Sequence, residues 1–155
     1  MKTKKTAPIT LIALVFIAVT LSAITAGVLI TQQKIPNSGS LGGNITSTNG
    51  ISVYRDPDAT INCTTIDWGN LNSGDIVTKL VYIKNTGNIS ETLSMTTSDW
   101  VPSTAIQSLY LTWNKEGTIL DAGKIVQATI TLKIDSDTGD LSDFSFNLVI
   151  SGTPQ

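Results

Sequence analysis

Residues 124–134 read KIVQATITLKI. Val126, Ala128, Ile130, Leu132 and Ile134 fall on one face, and Gln127, Thr129, Thr131 and Lys133 on the other. A period of two with one apolar face marks a strand buried on one side and wetted on the other. DFSFNLVIS, at 143–151, repeats the pattern: Phe144, Phe146, Leu148 and Ile150 alternate with Ser145, Asn147, Val149 and Ser151. Outward from this pair lie IVTKLVYIKN (76–85), ISETLSMTT (89–97) and IQSLYLTWN (106–114), with turn signals at TGN and KEG. ISVYR (51–55) is short, and TINCTTI (60–66) is polar and ambiguous. About seven short strands at such spacings predict an all-β chain, a single antiparallel β-sandwich. Val81, Ile83, Leu93, Met95, Leu109, Leu111 and Trp113 are in phase to join its core. Pro102 to Ile106 allows at most one helical turn.

The strand at 76–85 is preceded by IDWGNLNSGD, residues 66–75. Gly69 and Gly74 permit positive φ, and Asn70, Asn72 and Ser73 are turn formers. The segment is read as a strand-to-strand crossover that closes the end of the sandwich, with Trp68 and Leu71 turned inward as plugs.

The N-terminal part has a different composition. Residues 1–6 hold Lys2, Lys4 and Lys5; no residue from Thr6 to Gln33 is charged. Residues 7–30 read APITLIALVFIAVTLSAITAGVLI. As a helix they would span roughly 36 Å at about 1.5 Å per residue, enough for a hydrocarbon core of about 30 Å. Preceding lysines place the N-terminus in the cytoplasm and the rest of the chain outside. The segment is a single-pass membrane anchor, or a cleaved signal that leaves a secreted domain, or a pilin-type apolar segment behind a KKTAP leader. Residues 31–50, rich in Gly, Ser, Thr and Asn, have linker composition. As a coil they would span roughly 25 Å. The β-domain is then expected over 51–155.

The formal net charge of −2 hides an asymmetry, since beyond residue 35 there are six basic and all twelve acidic residues, giving −6. Such a domain lacks the basic footprint that nucleic acid requires, and it is likewise a poor candidate for anionic lipid surfaces. The chain has no His and one Cys. An intrachain disulfide is impossible, and histidine triads and the usual zinc sites are excluded. Cys63 has no activating base and reads as a small packed side chain. No catalytic residue, metal or cofactor is expected, and the chain reads as a non-enzyme.

The run DWGNLNSGDIVTKLVYIKNTGN, followed by LTWN and LDAGKIVQATITLKI, resembles a prokaryotic extracytoplasmic Ig-like domain in which a W-G-x-L-x-x-G turn leads into a strand ending in N-x-G. The resemblance covers roughly residues 51–151. It is closest to small membrane-led surface proteins of archaea and looser to the TasA/camelysin group of matrix-fibre proteins. It implies an Ig-like fold and a non-catalytic structural or display role at the cell envelope, with filament subunits among its forms. In such fibres an N-terminal segment adds a strand to its neighbour, and ISVYRD would be the donor unless it is an ordinary first strand. Some camelysin-group members are labelled peptidases, but this chain has no H-E-x-x-H. Two other roles stay open: a protein- or sugar-binding adhesion module, and a pilin-like subunit. The expected partners are the membrane through residues 7–30, further copies of the chain and other envelope proteins.

Three sequons begin at Asn44, Asn62 and Asn88. They are glycosylation candidates because topology places them outside, with Asn44 in the linker and Asn88 in a turn the accessible ones. Trp100, in SDWVPS, is the candidate exposed contact. Asp135, Asp137, Asp140 and Asp143 depart from the EF-hand pattern and read as a solvated hairpin.

Overall fold

The computed structural model describes residues 42–48 and 50–155. The basic tail, residues 7–30 and residues 31–41 of the expected linker lie outside the described residues. Among the described residues no helix is long and apolar enough to cross a membrane.

The described chain is all-β, with two sheets. The strands are β1 (Gly42–Thr48), β2 (Ile51–Tyr54), β3 (Thr65–Asp67), β4 (Ile76–Asn85), β5 (Glu91–Val101), β6 (Leu109–Trp113), β7 (Ile119–Leu120), β8 (Ile125–Ile134) and β9 (Ser145–Pro154). One 3₁₀ turn, Ser103–Gln107, separates β5 from β6. The five-stranded sheet has the order β3-β1-β9-β5-β7 and the four-stranded sheet the order β2-β4-β8-β6. One core joins their inner faces. Ile45, Leu93, Phe146, Leu148 and Ile150 come from the first sheet; Val53, Val81, Ile83, Ala128, Ile130, Leu132 and Ile134 come from the second. The alternation read from 124–134 and 143–151 is realised at every inward position from Ala128 to Ile134 and from Phe144 to Ile150. Met95, Leu111, Trp113 and Val126 are only partly buried at the margin of the core.

Three expectations are corrected. First, the expected linker over 31–50 contains β1, which lies inside the five-stranded sheet between β3 and β9. Its composition concealed a strand: only Ile45 supplies an apolar plug, and Gly43 is buried because the Phe146 ring lies against it. A Cβ at Gly43 would stand 2.9 Å from Phe146 Cε2. Second, the sheets are not wholly antiparallel, because β1 runs parallel to β9, from Gly42 opposite Ser145 to Thr48 opposite Ser151. With β1 and the two-residue β7, nine strands replace the expected seven. Third, β8 and β9 lie in different sheets, so residues 135–144 form a crossover and not a hairpin. Thr138, Leu141 and Phe144 are buried within it.

The 66–75 segment is the crossover that its turn residues announce, carrying the chain from β3 to β4. Trp68 and Leu71 are 2% and 1% exposed. Asp67 Oδ1 accepts the Gly69 N–H at 2.9 Å, and Asp75 Oδ2 accepts the Asn72 N–H at 2.8 Å. Gly69 and Gly74 take φ of 80° and 83°, where a Cβ would be strained. The two crossovers meet: Gly74 N donates to Asp135 O at 2.9 Å, and Ser73 Oγ lies 3.2 Å from Thr138 Oγ1. The N-x-G signal at 85–87 has an equally structural basis. Asn85 is fully buried; its Nδ2 donates to Ile89 O and Leu120 O, and its Oδ1 accepts the Gly87 N–H.

Candidate functional site

The sites read from the sequence are scattered. Asn44, Asn62 and Asn88 are all exposed. Asn44 stands on β1, where its Nδ2 donates to Asn147 Oδ1 at 3.4 Å. Asn62 lies outside the strands and makes an isolated bridge with Tyr54, so it is as accessible as the other two. Asn88 sits in the β4–β5 turn. Cys63 is buried, and desolvation pushes its thiol pKa up against the opposing pull of Arg55. Such a thiol is a poor nucleophile. Among the described residues no three His, Cys, Asp or Glu side chains converge to hold a metal ion.

Ile51–Tyr54 is not a free arm. It pairs with β4 along its length, from Ile51 opposite Asn85 to Tyr54 opposite Tyr82, and buries Ile51 and Val53.

Trp100 is half-buried and not a freely exposed contact. Its ring stacks on Phe146 with centroids 4.4 Å apart and planes 25° apart, and its Nε1 donates to Thr97 Oγ1 at 3.1 Å. The register break between Ser98 and Val101 brings it there, because a bulge re-aims the side chains that follow it. Aromatic stacking and a satisfied N–H fix the ring in one orientation.

Trp100 nevertheless lines the feature with the clearest capacity for contact. Met95, Thr97 and Trp100 of β5 face Ile106, Leu109 and Leu111 across a lateral cleft of about 480 Å³. The cleft exists because both bordering strands end their sheets there. β6 pairs only with β8 among the described residues, and β5 pairs with β7 only at Glu91 and Thr92. Asp135 N donates to Ser108 O, and Asn114 N donates to Thr129 O, so the even-numbered residues of β6 face β8. The backbone N–H groups of Leu109, Leu111 and Trp113 therefore point toward the open side. Across the cleft, Leu93 bonds toward the β7 side, which aims the Thr97 N–H outward too. One end of the cleft is bridged by Glu116, whose Oε2 accepts Trp113 Nε1 at 2.6 Å and Met95 N at 3.1 Å. The 3₁₀ turn carrying Ile106 borders the other end. An apolar floor between two unpaired strand edges can accept an extended chain, with backbone groups supplying affinity and alternate side chains filling the floor.

The cleft was not legible in the sequence. Its residues carry ordinary strand alternation, and only the sheet order reveals which strands are edges. The chain matches no family model and no curated protein.

Proposed function

We propose that the chain is a non-catalytic extracytoplasmic surface protein. Residues 7–30 hold it at the membrane, and an Ig-like β-sandwich is displayed outside with a structural role in the envelope. The observation that carries this reading is the lateral cleft between β5 and β6. Its occupant is an extended segment of a neighbouring copy, which pairs with the outward backbone groups of Leu109, Leu111 and Trp113. Copies joined in this way form a tethered array if residues 7–30 are retained and a filament if they are cleaved. The crossing of β8 and β9 between sheets departs from the immunoglobulin order, in which the last two strands are neighbours in one sheet. The adhesion-module alternative has less support, because Trp100 spends one ring face on Phe146.

Leu111→Pro tests the reading. It removes a cleft-facing N–H while leaving the Tyr110 and Thr112 pairs with β8 in place. Electron microscopy of the full chain in detergent is expected to show ordered assemblies of wild type that Leu111→Pro abolishes. Persistent single copies of wild type at high concentration would refute the proposal.

A further inference from the structure

The two outer faces of the domain differ in chemistry. On the four-stranded sheet the outward positions follow from the register. Ile76 stands beside Lys133 and Tyr110, Thr78 beside Thr131 and Thr112, Leu80 beside Thr129, Tyr82 beside Tyr54 and Gln127, and Lys84 beside Ser52 and Ile125. All three tyrosines of the chain, Tyr54, Tyr82 and Tyr110, lie on this one face. Ile76 is 64% exposed, Leu80 54% and Tyr110 48%. The only charged residues among these positions are Lys84 and Lys133, and none is acidic, in a domain whose net charge is −6. The outer face of the other sheet is mostly Ser, Thr and Asn, with Val149 and the exposed Ile119 among them; Ser94 is bonded to Ser151 and Asn147 to Asp99, and its strands contain no Lys or Arg.

We infer that the outer face of the β2-β4-β8-β6 sheet rests on a lipid surface with anionic headgroups. Flat aliphatic and tyrosine side chains between lysines suit a bilayer interface. The aliphatics leave water, the tyrosine rings bridge apolar and polar layers, and the lysines reach the headgroups. Five alternate residues along β4 span roughly 27 Å; β2 flanks one end of β4 and β6 lies beyond β8 at the other, so the face is three strands, about 10 Å, wide at either end. The absence of acid matters because the rest of the domain is repelled by anionic lipid, so one orientation is selected. The tether is also short. β1 begins at Gly42, so only residues 31–41 separate the domain from the apolar segment, and these eleven residues reach at most about 38 Å even when fully extended. This inference rests on the membrane-anchored reading above and assigns the face that the anchored domain presents to the bilayer.

The test is depth-dependent quenching. Thr78→Cys on this face and Thr96→Cys on the opposite sheet are each labelled with an environment-sensitive dye; Cys63 is buried and does not compete. The full chain is reconstituted into vesicles of phosphatidylcholine with phosphatidylglycerol, carrying headgroup-quencher lipids. Several-fold stronger quenching is expected at position 78 than at 96, falling in a Lys84→Glu/Lys133→Glu variant. Equal quenching at both positions, in chains that float with the vesicles, would overturn the docking. Chains that fail to float would instead overturn the anchor on which it rests. A blue shift at position 78 that grows with protein density, without quenching, would assign the face to a second copy and overturn the lipid partner.

Discussion

Trp68 and Trp100 are the same residue type at the margins of the same core, with opposite surroundings. Trp68 is 2% exposed under a crossover, and its Nε1 has no hydrogen-bond partner among the described residues. Trp100 is half-buried on an open side, and its Nε1 is bonded to Thr97. The sealed end gives up a hydrogen bond to complete the core. The open side keeps its polar group satisfied and leaves apolar surface and strand edges accessible. Sealing is a matter of stability, whereas an edge left open in a β-domain is a liability unless something covers it.

Substitution sharpens the contrast, beginning with the largest effect. Trp68→Ala should cost about 3–5 kcal/mol in urea unfolding, as for other large aromatics removed from cores. Trp68→Phe should cost less than about 1.5 kcal/mol, because the unpaired N–H goes with the indole. A full loss in the Phe variant would mean that the N–H has a partner after all. Trp100→Ala should cost only about 2 kcal/mol, made up of partial burial and the stack on Phe146, yet it should weaken assembly more than Trp68→Phe does. If assembly is unaffected, the cleft is not where copies meet.

Thr138→Val breaks the Ser73–Thr138 contact that ties the two crossovers together. It should cost about 1 kcal/mol, the net worth of one hydrogen bond between the two hydroxyls. The smallest effect belongs to neither region. Some desolvation pushes the Asp56 pKa up, but N–H donation from Ile61 and Thr60 and the Thr60 hydroxyl outweigh it and hold the carboxyl below its ordinary value. A depressed carboxyl stabilises its turn above the unfolded-state pKa and loses that contribution as pH falls through the folded-state pKa. Amide exchange at Thr60 and Ile61 should therefore accelerate, relative to the intrinsic rate, only on strong acidification. Unchanged protection through that range would remove the carboxylate from the turn.

The difference between the regions also explains what was legible in the sequence. The long strands announce themselves by period, and 66–75 by glycine, asparagine and a tryptophan between two strands. Segment 135–144 has similar turn chemistry but reads as a hairpin, because local composition does not say whether the next strand joins the same sheet. β1 was hidden for another reason. Its inward positions are Gly43 and Ile45, and the glycine is buried by the Phe146 ring, 103 residues away in the chain. Nothing local in GGNITST distinguishes that from a linker. The cleft and the tyrosine face share this origin. They are properties of sheet order and register, and each becomes visible only when strands distant in sequence are laid side by side.

The most direct test of the open side is amide exchange of the full chain in vesicles at rising protein density. The N–H groups of Leu111 and Trp113, which face the cleft, are compared with those of Tyr110 and Thr112, which face β8. The expected result is that Leu111 and Trp113 exchange fast when copies are sparse and become protected as they crowd, while Tyr110 and Thr112 are protected throughout. Exchange at Leu111 and Trp113 that does not change with density would contradict strand pairing between copies at this edge.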